Sequence, residues 1–168
     1  MTTLSGKLRF MLLAFTMTVC SFLSANAQRA SFSGEWKLDA SKSELGEFGG
    51  RAAISIKAEQ KEDAITVTKT TPGFNGGEPI TTTVTLTYDG KVVESEGFGG
   101  AKRKSTAKWS EDGKTLTVSS NMVLERDGQS FEIKSTENWT LAKDGWLSIV
   151  TNSTSPRGEM TIKAVYTK

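Results

Sequence analysis

From residue 32 onward, apolar side chains recur at every second position, and this two-residue period constrains the fold more than any other feature of the chain. Phe32, Gly34, Trp36 and Leu38 share one phase, Ser33, Glu35 and Lys37 the other. Ile54, Ile56 and Ala58 alternate with Ser55, Lys57 and Glu59, and Ile65 and Val67 with Thr66 and Thr68. Ile80, Val84, Leu86 and Tyr88 alternate with Thr81, Thr83, Thr85 and Thr87. Leu116, Val118 and Met122 follow the same rule, as do Phe131, Ile133, Trp139 and Leu141, and then Met160, Ile162, Ala164 and Tyr166. Successive side chains of a strand point to opposite faces, so the period means half-buried strands and not helices. One apolar and one polar face per strand means antiparallel pairing with one side in water. The abundant threonines suit the wet face of a strand.

The links between these runs say which strands are neighbours. Asp-Gly occurs at 89–90, 112–113, 127–128 and 144–145, each time between alternating runs. Asp-Gly is a strong signal for a two-residue hairpin, whose type I′ turn needs positive φ at both central residues. The pattern predicts strands at 32–38, 52–59, 63–70, 80–88, 91–96, 102–110, 114–124, 129–141, 145–153 and 159–167. Such a meander leaves two exposed edges unless it curls shut. The expected fold is therefore all-β, an up-and-down antiparallel meander closed into a barrel of about 8–10 strands.

The first 27 residues read differently. Lys7 and Arg9 precede an apolar stretch from Phe10 to Leu23, and Ala25-Asn26-Ala27 supplies a small-x-small cleavage pattern. That order is a signal peptide, cleaved after Ala27. The apolar run of about 14 residues is short of the ~20 that a spanning helix needs, so no transmembrane span is expected after cleavage. Val19 before Cys20 fits a lipid-attachment site poorly, so a lipoprotein is not expected. The chain then divides into a signal peptide, 1–27, and one barrel domain, 28–168, exported to the periplasm or secreted.

Composition narrows the function classes. The signal segment carries two basic residues and no acid, leaving 19 basic and 19 acidic residues. Lys102-Arg103-Lys104 is the densest basic run, and it reads as a solvated strand face and not as a nucleic-acid footprint, so no nucleic-acid partner is expected. The chain has no histidine, and its one cysteine, Cys20, leaves with the signal. Disulfides, thiol chemistry, imidazole ligands and Ser-His-Asp triads are thereby removed, and no cofactor or metal is expected.

The first strand, Phe32-Ser-Gly-Glu-Trp-Lys-Leu38, resembles that of lipocalins and fatty-acid-binding proteins through Gly34-x-Trp36. The resemblance implies that Gly34 relieves crowding where the strand bends and that Trp36 plugs the closed end of the barrel. Ile54-x-Ile56 through Gln60, Asp63-Ala-Ile-Thr-Val67 and the terminal Val165-Tyr166-Thr-Lys168 resemble the fatty-acid-binding branch. Small exported bacterial proteins with a lipocalin-like barrel are the group this chain is most similar to. Two departures stand out. Tyr166 matches the tyrosine of that branch's carboxylate-binding Arg-x-Tyr pair, but Ala164 stands where the arginine belongs. The stretch from Asp39 to Arg51 is too short for the branch's two-helix lid, leaving at most one helical turn around Ser41 to Leu45.

Alternate connections of a meander emerge at the same end. Phe48-Gly49-Gly50, Phe74-Asn75-Gly76-Gly77 and Phe98-Gly99-Gly100 should therefore crowd one rim, with the Asp-Gly turns at 89, 112 and 144 at the other. Phe48, Phe74 and Phe98 either tip an apolar portal or fold inward to cap a filled barrel, since barrels of this size occur both hollow and packed. Tyr88, Trp109, Met122, Trp139 and Tyr166 are the further candidates for ligand contact. The leading expectation is an exported protein binding a small, largely apolar molecule inside the barrel. A second is a structural or interaction module with a filled barrel that docks a partner through its Phe-bearing rim. A third, a carboxylate-based hydrolase, rests only on Glu94 with Glu96, and on Glu62 with Asp63; acids two apart on a strand usually face solvent.

Overall fold

The computed structural model describes residues 28–168, except for Phe74, Asn75 and Asp127 and the side chains of Phe48, Phe98 and Arg126. The segment read as a signal peptide and the Phe74 candidate lie outside the described residues. Ten strands form: β1 Gly34–Leu38, β2 Ser55–Gln60, β3 Ala64–Thr71, β4 Ile80–Thr87, β5 Val93–Glu96, β6 Lys102–Trp109, β7 Leu116–Arg126, β8 Gln129–Leu141, β9 Leu147–Ser155 and β10 Gly158–Thr167. They make one antiparallel sheet in the order β4-β3-β2-β1-β10-β9-β8-β7-β6-β5. The first and last strands pair, with Leu38 opposite Tyr166. The edge strands β4 and β5 approach each other without a ladder between them, and β4 also nears β6. The meander is thus nearly closed into a barrel, with a seam between β4 and β5, and it is consistent with a lipocalin-like architecture.

The connections after odd-numbered strands gather at one end, called the rim here, and those after even-numbered strands at the other, the base. Three of the four Asp-Gly pairs sit in base links longer than the two or three residues that the expected strand bounds leave. Gly90, Gly113 and Gly145 do take positive φ, at 76°, 67° and 79°. In two of them aspartate acts as an acceptor: Asp89 and Asp112 each receive the backbone N–H two residues on, at 3.1 Å. That side-chain bond substitutes for a turn and widens the loop. Of the four Asp-Gly pairs, only the one between β7 and β8 lies in a two-residue link, with Arg126 opposite Gln129. The rim link between β1 and β2 holds two 3-10 turns, Ala40–Lys42 and Gly46–Arg51, where one turn was expected. Asp39 starts the first by accepting the Ser41 N–H at 3.0 Å, and Lys42 also pairs with it.

The base is sealed by the chain before β1. The Ala30 N–H bonds the Gly113 carbonyl at 2.9 Å, and Arg29 Nη1 bonds the Glu62 carbonyl at 2.7 Å. Phe32 enters the barrel, stacked on Trp109 at 5.4 Å and edge-on to Trp139 at 5.8 Å. Trp36 is buried beside it and donates its indole N–H to the Phe32 carbonyl at 2.8 Å. The Lys168 ammonium lies over the other side of this corner, 4.9 Å from the Trp36 ring centroid. Ile56, Ile65, Leu86, Leu116 and Leu147 are fully buried with them. Each such side chain contributes about 1.5–3 kcal/mol through burial, so the base half is the stable foundation of the fold.

Candidate binding site

The inward face changes character from base to rim. On β9 the inward side chains are Leu147 and Ile149, both buried, then Thr151, Ser153 and Ser155, all half-exposed. On β8, Trp139 is buried while Glu137, Ser135, Ile133 and Phe131 are half-exposed. On β3, Ile65 and Val67 are buried and Lys69 and Thr71 are not; on β4, Leu86 is buried, Val84 half-buried, and Thr82 and Ile80 exposed. Water therefore reaches the rim half of the inner wall on β3, β4, β8 and β9, whereas Ser105 on β6 and Met122 on β7 stay buried there.

A row of serines marks the transition. Ser105 of β6 faces Ser120 of β7, Ser120 faces Ser135 of β8, and Ser135 faces Ser153 of β9. All four share the inward phase, and the Ser105 and Ser120 hydroxyls meet at 2.8 Å. Side chains this small leave the filling of the barrel at this level to the opposite wall. One step above lie Arg103, Met122 and Ile133, in register with one another, and above them Leu124 and Phe131.

One step below the serines, a charged pair crosses the interior. Lys69 Nζ donates to both Glu137 oxygens at 2.6 Å. β3 and β8 have four strands between them by either route around the ring, so the pair spans the barrel. Trp139 lies beneath it, donating Nε1–H to Glu137 Oε2 at 2.9 Å, with the Lys69 ammonium 5.4 Å from its ring centroid. The two charged side chains keep 25% and 21% of their surface, which places them between a surface pair and a core pair. Burial raises the carboxyl pKa of Glu137, but the Lys69 charge, the hydrogen bonds from Lys69 and Trp139, and the charge of Arg103 outweigh it and hold it below the usual value. Tyr166, buried on β10, is pushed well above the ordinary phenol value by desolvation and then by the Glu137 charge.

The structure distributes the candidates of the sequence reading over three places. Trp139 and Tyr166 lie around the floor of the water-accessible half, and Met122 is buried on its wall beside Arg103. Tyr88 and Trp109 pack instead in the base, 5.7 Å apart with the Arg29 guanidinium 5.0 Å over the tyrosine ring. Their hydroxyl and indole N–H are buried without a hydrogen-bond partner. Phe48 and Phe98 belong to rim connections, as expected from the chain order, but their side chains lie outside the described residues. Glu94 and Glu96 are exposed on the outer face of β5, and Glu94 pairs with Lys104 at 3.6 Å; Glu62 and Asp63 are exposed in the β2–β3 link.

Lys69, Arg103, Glu137 and the serine row escaped the sequence reading, although their phase was available. Lys69 follows Ile65 and Val67 in step, and Glu137 lies in step between Ile133 and Trp139. The run Lys102-Arg103-Lys104 does not form a single solvated face as expected. Consecutive strand residues alternate, so Lys102 and Lys104 are exposed and Arg103 turns inward. A concavity of about 300 Å³ at β8–β10 is lined by residues of both strand phases, Lys134, Thr136, Asn152 and Thr154 among the outward ones and Ser135, Ser153 and Met160 among the inward ones.

Compared with known proteins, the chain matches no family model, no curated protein and no solved structure.

Proposed function

We propose that this chain is an exported lipocalin-like protein that holds a small molecule in the rim half of its barrel. The observation that carries the reading is the inner wall itself: filled and aromatic at the base, water-accessible and lined by serines above. Export follows from the signal-like residues 1–27, with the periplasm or the exterior as destination. The expected ligand keeps an apolar part, for which Val84, Ile133, Phe131 and Met160 offer surface. Burial there yields about 25 cal/mol per Å² of apolar area before ordering costs are subtracted. The polar row below makes the ligand amphipathic and not wholly apolar, which refines the expectation drawn from the sequence.

The rival reading, a filled barrel docking a partner by its rim, draws support from the packed base. It would need bulky inward side chains along the Ser105–Ser120–Ser135–Ser153 row, where the smallest hydroxyl residue stands four times. Native mass spectrometry of the purified protein after incubation with chemically diverse lipid extracts tests the proposal. A discrete mass increase is expected; recovery of bare protein from every extract would count against it.

A further inference from the structure

We infer that the protein forms a two-fold dimer through the open edge of β4, which pairs antiparallel with the same strand of a second copy; this goes beyond the ligand-holding reading and does not depend on it. The two edges at the seam are built differently. β5 is short, Val93–Glu96, and carries Glu94 and Glu96, both exposed. Short length and charge are what keep a strand edge from pairing. β4 has neither protection. Ile80–Thr87 holds no charged residue and no proline, and its register with β3 runs from Thr71–Ile80 to Ala64–Thr87 without a bulge. Ile80, Thr81, Thr82 and Thr83 are all exposed, Ile80 at 44%, although Ile80 and Thr82 have the inward phase. The rim half of β4 is thus uncovered on both faces.

The backbone hydrogen bonds show which groups face the seam. The Tyr88 N–H bonds the Asp63 carbonyl at 3.0 Å, so the even-numbered residues of β4 bond β3 and the odd-numbered ones turn away from it. The N–H and C=O of Thr81 and Thr83 therefore point to the open side, where β4 has no paired strand. Unpaired strand groups of this kind are a template for another strand. A two-fold axis through Thr82 uses the whole uncovered stretch. Thr81 then exchanges hydrogen bonds with Thr83 of the second copy, and Thr83 with Thr81 of the second copy. Thr82 meets its own counterpart, and Ile80 meets Val84, in non-hydrogen-bonded pairs, where side chains lie closest. On the outer face, threonine hydroxyls already link β3 to β4, Thr68 to Thr83 at 2.9 Å and Thr70 to Thr81 at 3.0 Å. A hydroxyl donates once and accepts twice, so each can extend this ladder across the axis. Charge selects the second copy as occupant: an uncharged edge meets itself without repulsion and offers a charged strand nothing to pair with. An isologous contact closes on itself, so assembly stops at the dimer.

Sedimentation equilibrium over a wide concentration range tests this on the protein and on Thr83→Pro, Thr82→Lys and Thr83→Val, each checked for folding by circular dichroism. The wild type is expected to sediment as a monomer–dimer equilibrium. Thr83→Pro removes an N–H that bonds nothing inside one copy, a position where an edge strand tolerates proline. It should weaken dimerisation about tenfold or more, as should Thr82→Lys, which sets like charges opposite each other. Thr83→Val loses the same hydroxyl but keeps the N–H, and should still dimerise. In a Cys20→Ser background, which leaves no other thiol, Thr82→Cys should form a disulfide between copies under mild oxidation, because residues so paired have Cα atoms about 4.5 Å apart. Thr85→Cys, off the axis, should not. A wild type that stays monomeric at every concentration overturns the inference, whether its Thr83 amide proves protected from exchange by β5 or open to a different protein. A dimer that Thr83→Pro and Thr82→Lys leave at full strength lies on another face and overturns it too. Assembly beyond the dimer overturns the two-fold pairing.

Discussion

Replacing Lys69 with methionine strands the Glu137 carboxylate inside the barrel, and the cost can be bounded from the geometry. Breaking a fully buried ion pair by removing one partner costs about 3–5 kcal/mol, because a charge is left without compensation. A solvent-exposed pair is worth about 0–1 kcal/mol. The Lys69 and Glu137 side chains are 25% and 21% exposed, so the buried figure must be discounted for water that reaches them. The Trp139 N–H, 2.9 Å from the carboxylate, stays in place and softens the loss further. The expected penalty is about 2 kcal/mol, or about 8 °C in Tm for a domain of this size. Urea unfolding followed by tryptophan fluorescence measures it as a fall in the midpoint at unchanged slope. The double variant Lys69→Met with Glu137→Met removes both charges and should recover most of the loss. Glu137 is held below its ordinary carboxyl value of 4.5 in the folded protein, so its contribution is complete above that value and fades as the pH falls through the lowered one. The gap between the wild type and Glu137→Gln should close accordingly in acid. A Lys69→Met penalty under about 0.5 kcal/mol, the size expected of a solvent-exposed pair, would refute the placement of this pair inside the barrel.

Three further outcomes follow from the base. Gly34→Ala should cost about 2 kcal/mol in urea unfolding, because φ there is 134°, although Lys168 Cε at 3.1 Å from the new Cβ can swing aside; a neutral result would refute the strained bend. Phe32→Ala should cost about 3–5 kcal/mol, since it empties the aromatic stack on Trp109, and a loss below about 1 kcal/mol would show that the segment before β1 does not seal the barrel. Burial pushes Tyr88 up to about 12 and Tyr166 higher, so the stability from keeping them neutral is complete below the ordinary value of 10.0 and is lost as the pH rises through the raised ones. Tyrosinate absorbance should thus appear together with alkaline unfolding, and reversible titration of either tyrosine near pH 10 in the folded protein would contradict this.

How far the sequence could be read depended on whether a residue's environment was apolar. The ten strands and their order were legible because alternation of Val, Ile, Leu and Trp against Thr, Ser and Lys marks both the strand and its face. A base position for Trp36 was expected only from the resemblance carried by Gly34-x-Trp36, not from the alternation. The interior of the rim half was not, because the same alternation was followed only through apolar residues. Ser135 and Glu137 continue the phase of Ile133 into Trp139, yet a serine and a glutamate look like ordinary wet-face residues when read one at a time. Arg103 was hidden by its flanking lysines, although three successive strand residues cannot share a face. The partner of Lys69 lies across the barrel on β8, a long-range juxtaposition that only the closed ring reveals. The base turns were longer than their Asp-Gly pairs suggest, because aspartate can bond the backbone ahead of it and open the loop.

The accessibility of the inner wall decides whether the barrel has a ligand space at all. In a Cys20→Ser background, which leaves no other thiol, Ser120→Cys and Ser135→Cys should react with a water-soluble thiol reagent in the native state, whereas Ala107→Cys, buried lower on the β6 wall, should react only after unfolding. If the two serine-row thiols prove as protected as the one at position 107, the upper interior is packed, and the ligand space proposed for it does not exist.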